Sequence, residues 1–235
     1  MDIDILLPTR ERPNRLRELF DSLVKNTIKI NKIKVYLYID DDDEKTLSEL
    51  SKIKNEFPTL SINEIIGPRI TISKAWNKCW EISSGEIVMI CADDVRFESI
   101  GWDRWVENTF LLSSDKIQLV FCNDGFVPHE RWFGTHPFVS RFSTNILGRV
   151  CPPYFKCDYN DLWLDEIYQS LCRKIYLPHV LIKHYHHISN PKYKDKTETE
   201  MRAHKEEAAK IWEDTKEERN KDMQKLYTYI ISKKG

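Results

Sequence analysis

Short apolar segments alternate with stretches of helical periodicity over the first 125 residues, and this alternation limits the folds open to the chain. Five segments have the length and composition of buried strands, namely residues 3–8, 34–39, 60–66, 86–91 and 117–122. Between them, segments that begin at Pro13, Thr71 and Gly101 repeat apolar residues at helical spacing. Strands that alternate with helices in this way predict an α/β sheet with helices on both faces.

The pattern changes after residue 125. Residues 126–156 are rich in aromatic residues, glycine and proline and have poor periodicity, so we expect a loop-rich segment that shapes a pocket. Helical spacing returns over 160–174, and 175–187 form a last strand. The tail, residues 191–235, is predicted to contain one long charged amphipathic helix. Its narrow apolar stripe packs either on the body of the protein or on a partner subunit in a homo-oligomer.

Composition excludes several classes of protein. Of the 235 residues, 41% are apolar, and the formal net charge of −1 gives no general attraction to nucleic acid or to anionic membranes. The six cysteines are scattered without a CxxC pair, which favours reduced thiols. We find no signal peptide and no apolar run near the ~20 residues that span a bilayer. We therefore expect a cytoplasmic protein without integral membrane association.

Charged residues follow three of the predicted strands, in the segments PTRER (8–12), DDDD (40–43) and ADD (92–94). Each one alone is typical of a solvated polar loop. In open α/β sheets, however, ligands bind beyond the carboxyl ends of the strands, so three such segments on one edge favour a site. Aspartates there could accept hydrogen bonds from a base or ribose, and arginines could pair with phosphates. The candidates are Asp40, Asp41, Arg10, Arg12 and Arg69.

Asp93 and Asp94 are candidate ligands for a hard divalent cation, Mn²⁺ or Mg²⁺. The segment HYHH adds His184 and His186, which share one face of the last strand, and His187, which points the other way. A mixed carboxylate and imidazole set suits Mn²⁺ better than Mg²⁺. The alternative for the histidines is an exposed polar strand end. No cysteine or histidine pair has the spacing of a structural zinc site.

The order of ILLPTRERPNRLRELFDSL, YIDDDD and ISKAWNKCWEISSGEIVMICADD resembles the nucleotide-sugar half of family 2 type glycosyltransferases with the GT-A fold. The matching positions are Pro8, Thr9, Asp40, Asp41, Asn77, Gly85, Glu86, Asp93 and Asp94. The resemblance implies a Rossmann-like, mixed and mostly parallel sheet flanked by helices, with a C-terminal helical extension. It also implies a nucleotide-sugar-binding half at 1–125, an acceptor-binding and catalytic half at 126–190, and the extension at 191–235.

The second half of the chain extends the resemblance through NDLWLDEIYQSLCRKIYLPHVLIKHYHH. The match places Asp161 at the family's usual catalytic base and His184 at its terminal metal- or phosphate-binding histidine, with His186 as a rival. Asn160 stands where the family has glutamate, and Asp42 and Asp43 replace its Gly-Ser pair. From the residues alone, Asp161 could instead be a helix N-cap, and two nearby carboxylates, Asp158 and Asp165, could take its place as the base.

The resemblance implies a metal-dependent glycosyltransferase that moves a sugar from a nucleoside-diphosphate sugar, most commonly a UDP-sugar, to an acceptor hydroxyl with inversion. The metal ligands would be Asp94 with His184 or His186. The donor would contact Pro8, Thr9, Arg10, Arg12, Asp40, Asp41, Arg69, Asn77 and Asp93. The aromatic residues Trp132, Phe133, His136 and Phe138 form either a sugar platform or an ordinary core.

The acceptor stays open between a glycan end, a protein side chain and a DNA base that carries a hydroxymethyl group. The composition, rich in lysine and isoleucine, would suit an AT-rich genome such as that of a virus. Two other classes compete with the transferase. A nucleotidyltransferase would need a glycine-rich loop with a lysine after its first strand, and PTRERPNR has no glycine. A non-catalytic nucleotide- or nucleic-acid-binding module would not need an aspartate base beside a metal site.

Overall fold

The computed structural model describes residues 1–125, 134–186 and 191–233. The strands in these ranges are β1 Ile3–Thr9, β2 Ile33–Asp40, β3 Ser61–Gly67, β4 Ile87–Ile90, β5 Val95–Phe97, β6 Leu119–Asn123, β7 Phe138–Ser140 and β8 Lys174–His184. The helices are α1 Pro13–Asn26, α2 Glu44–Glu56, α3 Ile72–Ile82, α4 Trp102–Leu111, α5 Arg141–Leu147, α6 Asn160–Ser170, α7 Lys196–Arg202, α8 Lys205–Asp214 and α9 Lys216–Ser232. Short 3₁₀ turns lie at Ile30–Lys32 and Pro191–Tyr193.

The eight strands form one mixed sheet in the order β3-β2-β1-β4-β7-β6-β8-β5. β1 pairs in parallel with β2 and β4, and the pairs β2–β3 and β6–β8 are also parallel. The other three pairs, β4–β7, β6–β7 and β5–β8, are antiparallel. The expectation of a mixed, mostly parallel sheet is therefore confirmed. The carboxyl ends of β1, β2 and β4 lie side by side, so the charged segments after these strands share one edge of the sheet, as predicted.

Two apolar layers cover the two faces of the sheet. On β1, Ile5 and Leu7 face one layer while Leu6 faces the other, because side chains alternate along a strand. The first layer contains the buried faces of α1, α2 and α4, such as Phe20 and Trp102. The second contains those of α3, α5, α6, α8 and α9. The packing of helices on both faces is what the alternation of elements predicted.

Several elements differ from the expectation. Within 126–156, a short strand β7 and a helix α5 replace the expected loop, while 126–133 lie outside the described residues. β7 is only three residues long, and its ladder partners belong to β4 and β6. A strand fixed by such distant pairing leaves little periodicity in its own sequence. The segment between β2 and β3 forms α2, which Asp43 caps by accepting the Thr46 N–H at 3.0 Å.

The prediction of one long helix in the tail is wrong, because the tail forms three helices, α7, α8 and α9. A single straight helix over 196–232 would be about 55 Å long, far more than the ~30 Å diameter of a small domain. The breaks at Ala203–His204 and Thr215 let the apolar stripe follow the curved surface. Leu226 and Ile230 are buried in the second layer, so the tail packs on the body of the protein.

All six cysteines are free thiols, in agreement with the sequence prediction. Among the described helices, none combines the length and the apolar character that a membrane span requires.

Candidate active site

A cavity of about 1330 Å³ opens at the carboxyl ends of β1, β2 and β4. It is walled by the segment after β3, by the start of α6, by the end of β8 and by α7. The predicted site residues that line it are Pro8, Thr9, Arg10, Arg12, Asp40, Arg69, Asp93, Asp94, Asp161, His184 and His186. Residues up to 178 positions apart in the sequence therefore meet in one place, because every one of them lies at or near the end of an element.

Asn77 and Asp41 do not line the cavity. The Asn77 side chain donates to the Cys151 carbonyl at 2.8 Å and accepts the Val150 N–H at 3.0 Å, so it ties α3 to the segment after α5. Asp41 is exposed, and its backbone N–H donates to the Gly67 carbonyl. Asn77 therefore acts as a structural residue, and neither side chain belongs to the lining of the cavity.

Asp93 is buried, and both of its carboxylate oxygens are occupied. Thr9 Oγ1 donates to Oδ2 at 2.8 Å, and Arg12 Nη1 donates to Oδ1 at 2.9 Å. A charge-assisted hydrogen bond of this kind offsets the cost of removing a carboxylate from water. The pair of aspartates is thus asymmetric: Asp93 is engaged by β1 and its following loop, while Asp94 faces the two histidines.

Asp94 lies against His184 and His136, and each of the three offers one ligand atom within 4.8 Å of the others. Asp94 Oδ1 is 3.4 Å from His184 Nε2, and the ring centroids of His136 and His184 are 4.7 Å apart. Although burial by itself would raise it, the pKa of Asp94 is lowered by the charge of His184, with smaller contributions from His136 and Arg12. Burial, together with the charge of His184, lowers the pKa of His136 to about 3.

This cluster satisfies the requirements of a divalent cation site. Among the described residues, Asp94 Oδ1, His184 Nδ1 and both ring nitrogens of His136 are buried without a hydrogen-bond partner. Leaving a buried polar atom unpaired costs about 1–3 kcal/mol, so four such atoms on three adjacent side chains need an explanation. One carboxylate and two imidazoles, which bind a metal in their neutral form, are suitable ligands for Mn²⁺ and similar ions.

His186 belongs to a different part of the cavity. Its Nε2 accepts a hydrogen bond from Arg202 Nη2 at 2.7 Å and lies 3.9 Å from Glu198 Oε1. The side chain is therefore held by α7, while His184 faces Asp94. Of the two histidines that the sequence left as rivals, His184 has the geometry of a metal ligand. His187 lies outside the described residues.

The arginines of the cavity are paired with carboxylates, many of which come from the tail. Arg12 binds Asp195 with two hydrogen bonds, of 2.8 Å from Nε and 2.6 Å from Nη2, in addition to its bond to Asp93. Arg69 pairs with Glu200 at 2.7 Å. Helix α7 and its N-cap residue, Asp195, thus lie across the cavity, and their acidic side chains pair with its arginines. Sequence reasoning missed this because the partners are more than 130 residues apart.

Arg10 and Arg15 complete this positive edge. Arg10 donates to Asp40 at 2.8 Å and to Asp42, so the aspartates after β2 are held by the loop after β1. Arg15, on the first turns of α1, lies 3.7 Å from Asp94 and 3.1 Å from Asp195. Arg15 was not predicted as a site residue, although its position three residues after Arg12 places it on the same side of a helix start.

Asp161 lies in the first turn of α6 and lines the cavity. Its Oδ1 accepts the Leu162 N–H at 2.9 Å, and no described residue donates to its Oδ2. Burial, aided by the charge of Asp158, raises the pKa of Asp161 to about 7. A carboxyl group that changes its protonation near neutral pH can exchange a proton with a bound hydroxyl.

The two competing carboxylates have other partners. Asp158 Oδ1 accepts a hydrogen bond from Arg202 Nη1 at 2.5 Å. Asp165 pairs with Lys174 at 2.9 Å, accepts the Gly134 N–H, and does not line the cavity. Asp161 is also not the N-cap, because that position belongs to Tyr159. The geometry therefore favours Asp161 among the three candidates for the base.

The segment that presents Asp161 is held in an unusual conformation. Asp158 and Tyr159 both have left-handed φ angles, of 47° and 60°. Non-glycine residues adopt this region at a cost and are frequent at functional sites. Asn160, which stands where the resemblance predicted a glutamate, is buried and accepts a hydrogen bond from Ser73 Oγ at 2.7 Å. It anchors the start of α6 to α3.

The expected aromatic platform divides into unrelated parts. Trp132 and Phe133 lie outside the described residues. Phe138 is fully buried in the core, where its ring stacks on Trp102 at 5.7 Å, so for this residue the alternative of an ordinary core is correct. His136 lines the cavity beside His184 and belongs to the cation cluster.

No protein-family model and no curated protein matches the sequence. Solved structures are nevertheless similar to it. A mannosyltransferase from Pyrobaculum calidifontis, in complex with GDP-Man and Mn²⁺, superposes with a TM-score of 0.63 at 17% identity over 77% of this chain and 56% of its own. TarS 1–349 of S. aureus, in complex with UDP-GlcNAc, gives 0.60 at 14% over 81% and 61%. The chain thus spans under two thirds of the length of these two proteins.

A third similar structure is glucosyl-3-phosphoglycerate synthase from Mycobacterium tuberculosis with Mn²⁺, UDP and glucosyl-3-phosphoglycerate. It superposes with a TM-score of 0.53 at 15% identity over 79% of this chain and 72% of its own. At such low identities the likeness concerns the fold. This chain therefore has the GT-A fold of nucleotide-sugar glycosyltransferases.

Proposed function

We propose that this chain is a metal-dependent glycosyltransferase that moves a sugar from a nucleoside-diphosphate sugar to an acceptor hydroxyl, with inversion at the anomeric carbon. The observation on which the proposal depends is the meeting of two groups in one cavity. One is the candidate cation site of Asp94 and His184, and the other is Asp161, with its pKa raised to about 7. The complexes of the similar structures with GDP-Man, UDP and UDP-GlcNAc support a nucleotide-sugar donor.

The donor would occupy the edge formed by the ends of β1, β2 and β4. Asp40 and Thr9 can exchange hydrogen bonds with the base and ribose, and Arg12 supplies positive charge to the diphosphate. A divalent cation held by Asp94 and His184 would stabilise the negative charge that develops on the leaving nucleoside diphosphate. We propose a UDP-sugar as the first donor to test, with GDP- and TDP-sugars as alternatives.

Asp161 would act as the general base. Above pH 7 its carboxylate is ionised, and Oδ2 can accept the proton of the acceptor hydroxyl as that oxygen attacks the anomeric carbon. Direct displacement by an oxygen activated on the face opposite the leaving group inverts the anomeric centre. Asn160 has no charge to lose and holds α6 in place, so we assign it a positioning role.

The test is hydrolysis or transfer from a panel of UDP-, GDP- and TDP-sugars, measured with Mn²⁺, with Mg²⁺ and with a chelator. We expect turnover that requires the cation, and a decrease of ~10²–10⁴-fold in Asp161→Asn. Asp165→Asn is the matched control, since it removes a carboxylate from the same helix outside the cavity. It should retain most of the activity.

Two outcomes would change the assignment. Absence of both turnover and cation-dependent nucleotide binding across the panel would contradict the transferase. Tight nucleotide binding without turnover, unaffected by Asp161→Asn, would instead indicate a non-catalytic binding module.

A further inference from the structure

Three segments that are distant in the sequence bring Asp94, His136 and His184 together. Asp94 follows β4, His184 ends β8, and His136 precedes β7. The Tyr185 N–H donates to the Asp94 carbonyl at 2.8 Å, and the Ile90 N–H donates to the Pro137 carbonyl at 3.3 Å. Each of the three side chains therefore extends from backbone that is fixed by the sheet.

His136 has the environment of a ligand rather than of a core histidine. Neither of its ring nitrogens has a hydrogen-bond partner among the described residues, and both are buried. His186, whose ring centroid lies 5.0 Å from that of His184, is by contrast hydrogen-bonded to Arg202. A buried imidazole without a partner, beside an unpaired carboxylate oxygen and an unpaired nitrogen of His184, is arranged to share a cation with them.

We propose that His136 is a third protein ligand, so that Asp94, His136 and His184 bind a divalent transition-metal ion in the absence of any nucleotide. This set of one carboxylate and two imidazoles selects ions such as Mn²⁺ over Mg²⁺. The inference rests on the cation dependence within the proposed function. Cation binding is measured without donor or acceptor, however, so the two can fail separately.

The chemistry of the ligands gives the selectivity. Mg²⁺ prefers oxygen ligands in an octahedron and gives up its water reluctantly, whereas imidazole suits the transition metals. Three ligands on a fixed backbone also lose little freedom on binding. A site with only Asp94 and His184 would depend on phosphate oxygens from the donor to complete it, and would bind the ion weakly alone.

The experiment uses the full chain, freed of metal with a chelator and titrated with Mn²⁺ without nucleotide. Free Mn²⁺ is followed by electron paramagnetic resonance, and Mg²⁺ is tested by competition. We expect one bound Mn²⁺ per chain. In His136→Gln, affinity should fall by at least about tenfold, since even residues that only support a ligand contribute 10–100-fold. His179→Ala is the matched control, as it alters an exposed histidine on the same strand as His184.

Pulsed measurements of nitrogen couplings on the bound Mn²⁺ give a test that does not depend on the stability of a variant. The wild-type protein should show two coordinated imidazoles, and His136→Gln should show one. Circular dichroism verifies that the variant is folded. The proposal is overturned by a single imidazole in the wild type, by equal affinity in wild type and His136→Gln, by stronger binding of Mg²⁺, or by Mn²⁺ binding only after nucleotide is added.

Discussion

The raised pKa of Asp161 predicts how the stability of the protein depends on pH. Burial raises this pKa from 3.8 to about 7, so the folded protein keeps a proton that the unfolded chain releases. The resulting stability is fully present below pH 3.8 and is lost as the pH rises through about 7. Asp161→Asn removes the titrating group with little change in shape, and should therefore remove this loss.

The magnitude follows from the shift. At about 1.4 kcal/mol per pKa unit, the whole shift corresponds to about 4 kcal/mol. Between pH 5 and pH 8, where most of the loss occurs, the stability of Asp161→Asn relative to wild type should rise by about 2–3 kcal/mol.

Urea unfolding at the two pH values, with a chelator present, measures this difference directly. The same ionisation predicts that the rate of transfer or hydrolysis rises about tenfold from pH 6 to pH 8 in the wild type, because only the carboxylate accepts a proton. A difference in unfolding free energy that is the same at pH 5 and pH 8 would refute the assignment of a raised pKa to Asp161. If the decrease in rate from pH 8 to pH 6 persists unchanged in Asp161→Asn, Asp161 is not the general base.

Three further predictions test other parts of the structure. Asp94→Asn should abolish Mn²⁺ binding in a titration, whereas Asp93→Asn should retain it, because both oxygens of Asp93 are already occupied. Loss of Mn²⁺ binding in Asp93→Asn but not in Asp94→Asn would contradict the asymmetry of the pair. Arg12→Gln leaves a buried carboxylate without its cation and should lower the unfolding free energy by about 3 kcal/mol in urea, and a loss below 1 kcal/mol would show that the pair is solvated. Leu226→Ala should lower the free energy of unfolding, measured by thermal unfolding, by about 2–5 kcal/mol. Tyr227→Ala should lower it much less, since Leu226 is fully buried whereas Tyr227 is 47% exposed. Equal effects would mean that α9 does not pack on the body.

The first half of the fold could be predicted because its signals are local. The strands after Asp2, Lys32 and Gly85 are short, mostly apolar segments, and their ends must meet when they pair in parallel. The helix α2 also has a local signal, an Asp43 cap followed by apolar residues at helical spacing, and could have been recognised. β7 could not, since three residues form a strand there only because β4 and β6 provide ladder partners.

The candidate site divides in the same way. Asp93, Asp94 and His184 stand at strand ends, where composition and order identify them. His136 follows a segment without periodicity, so nothing near it in the sequence indicates that it meets Asp94. The same is true of Asp195, which reaches Arg12 across 183 positions. Such contacts depend on how the tail folds back, and the local sequence predicted a single helix there.

The course of the tail has a practical consequence for anyone who shortens this protein. The strands of the sheet are complete at residue 184, and a boundary drawn there would look natural. Such a truncated protein would lack the wall that α7 provides, together with Asp195, Glu200 and Arg202. Arg12 and Arg69 would lose neutralising partners, and the apolar groups under α9 would meet water. Affinities measured on it would describe a wider and more positive pocket than that of the whole chain.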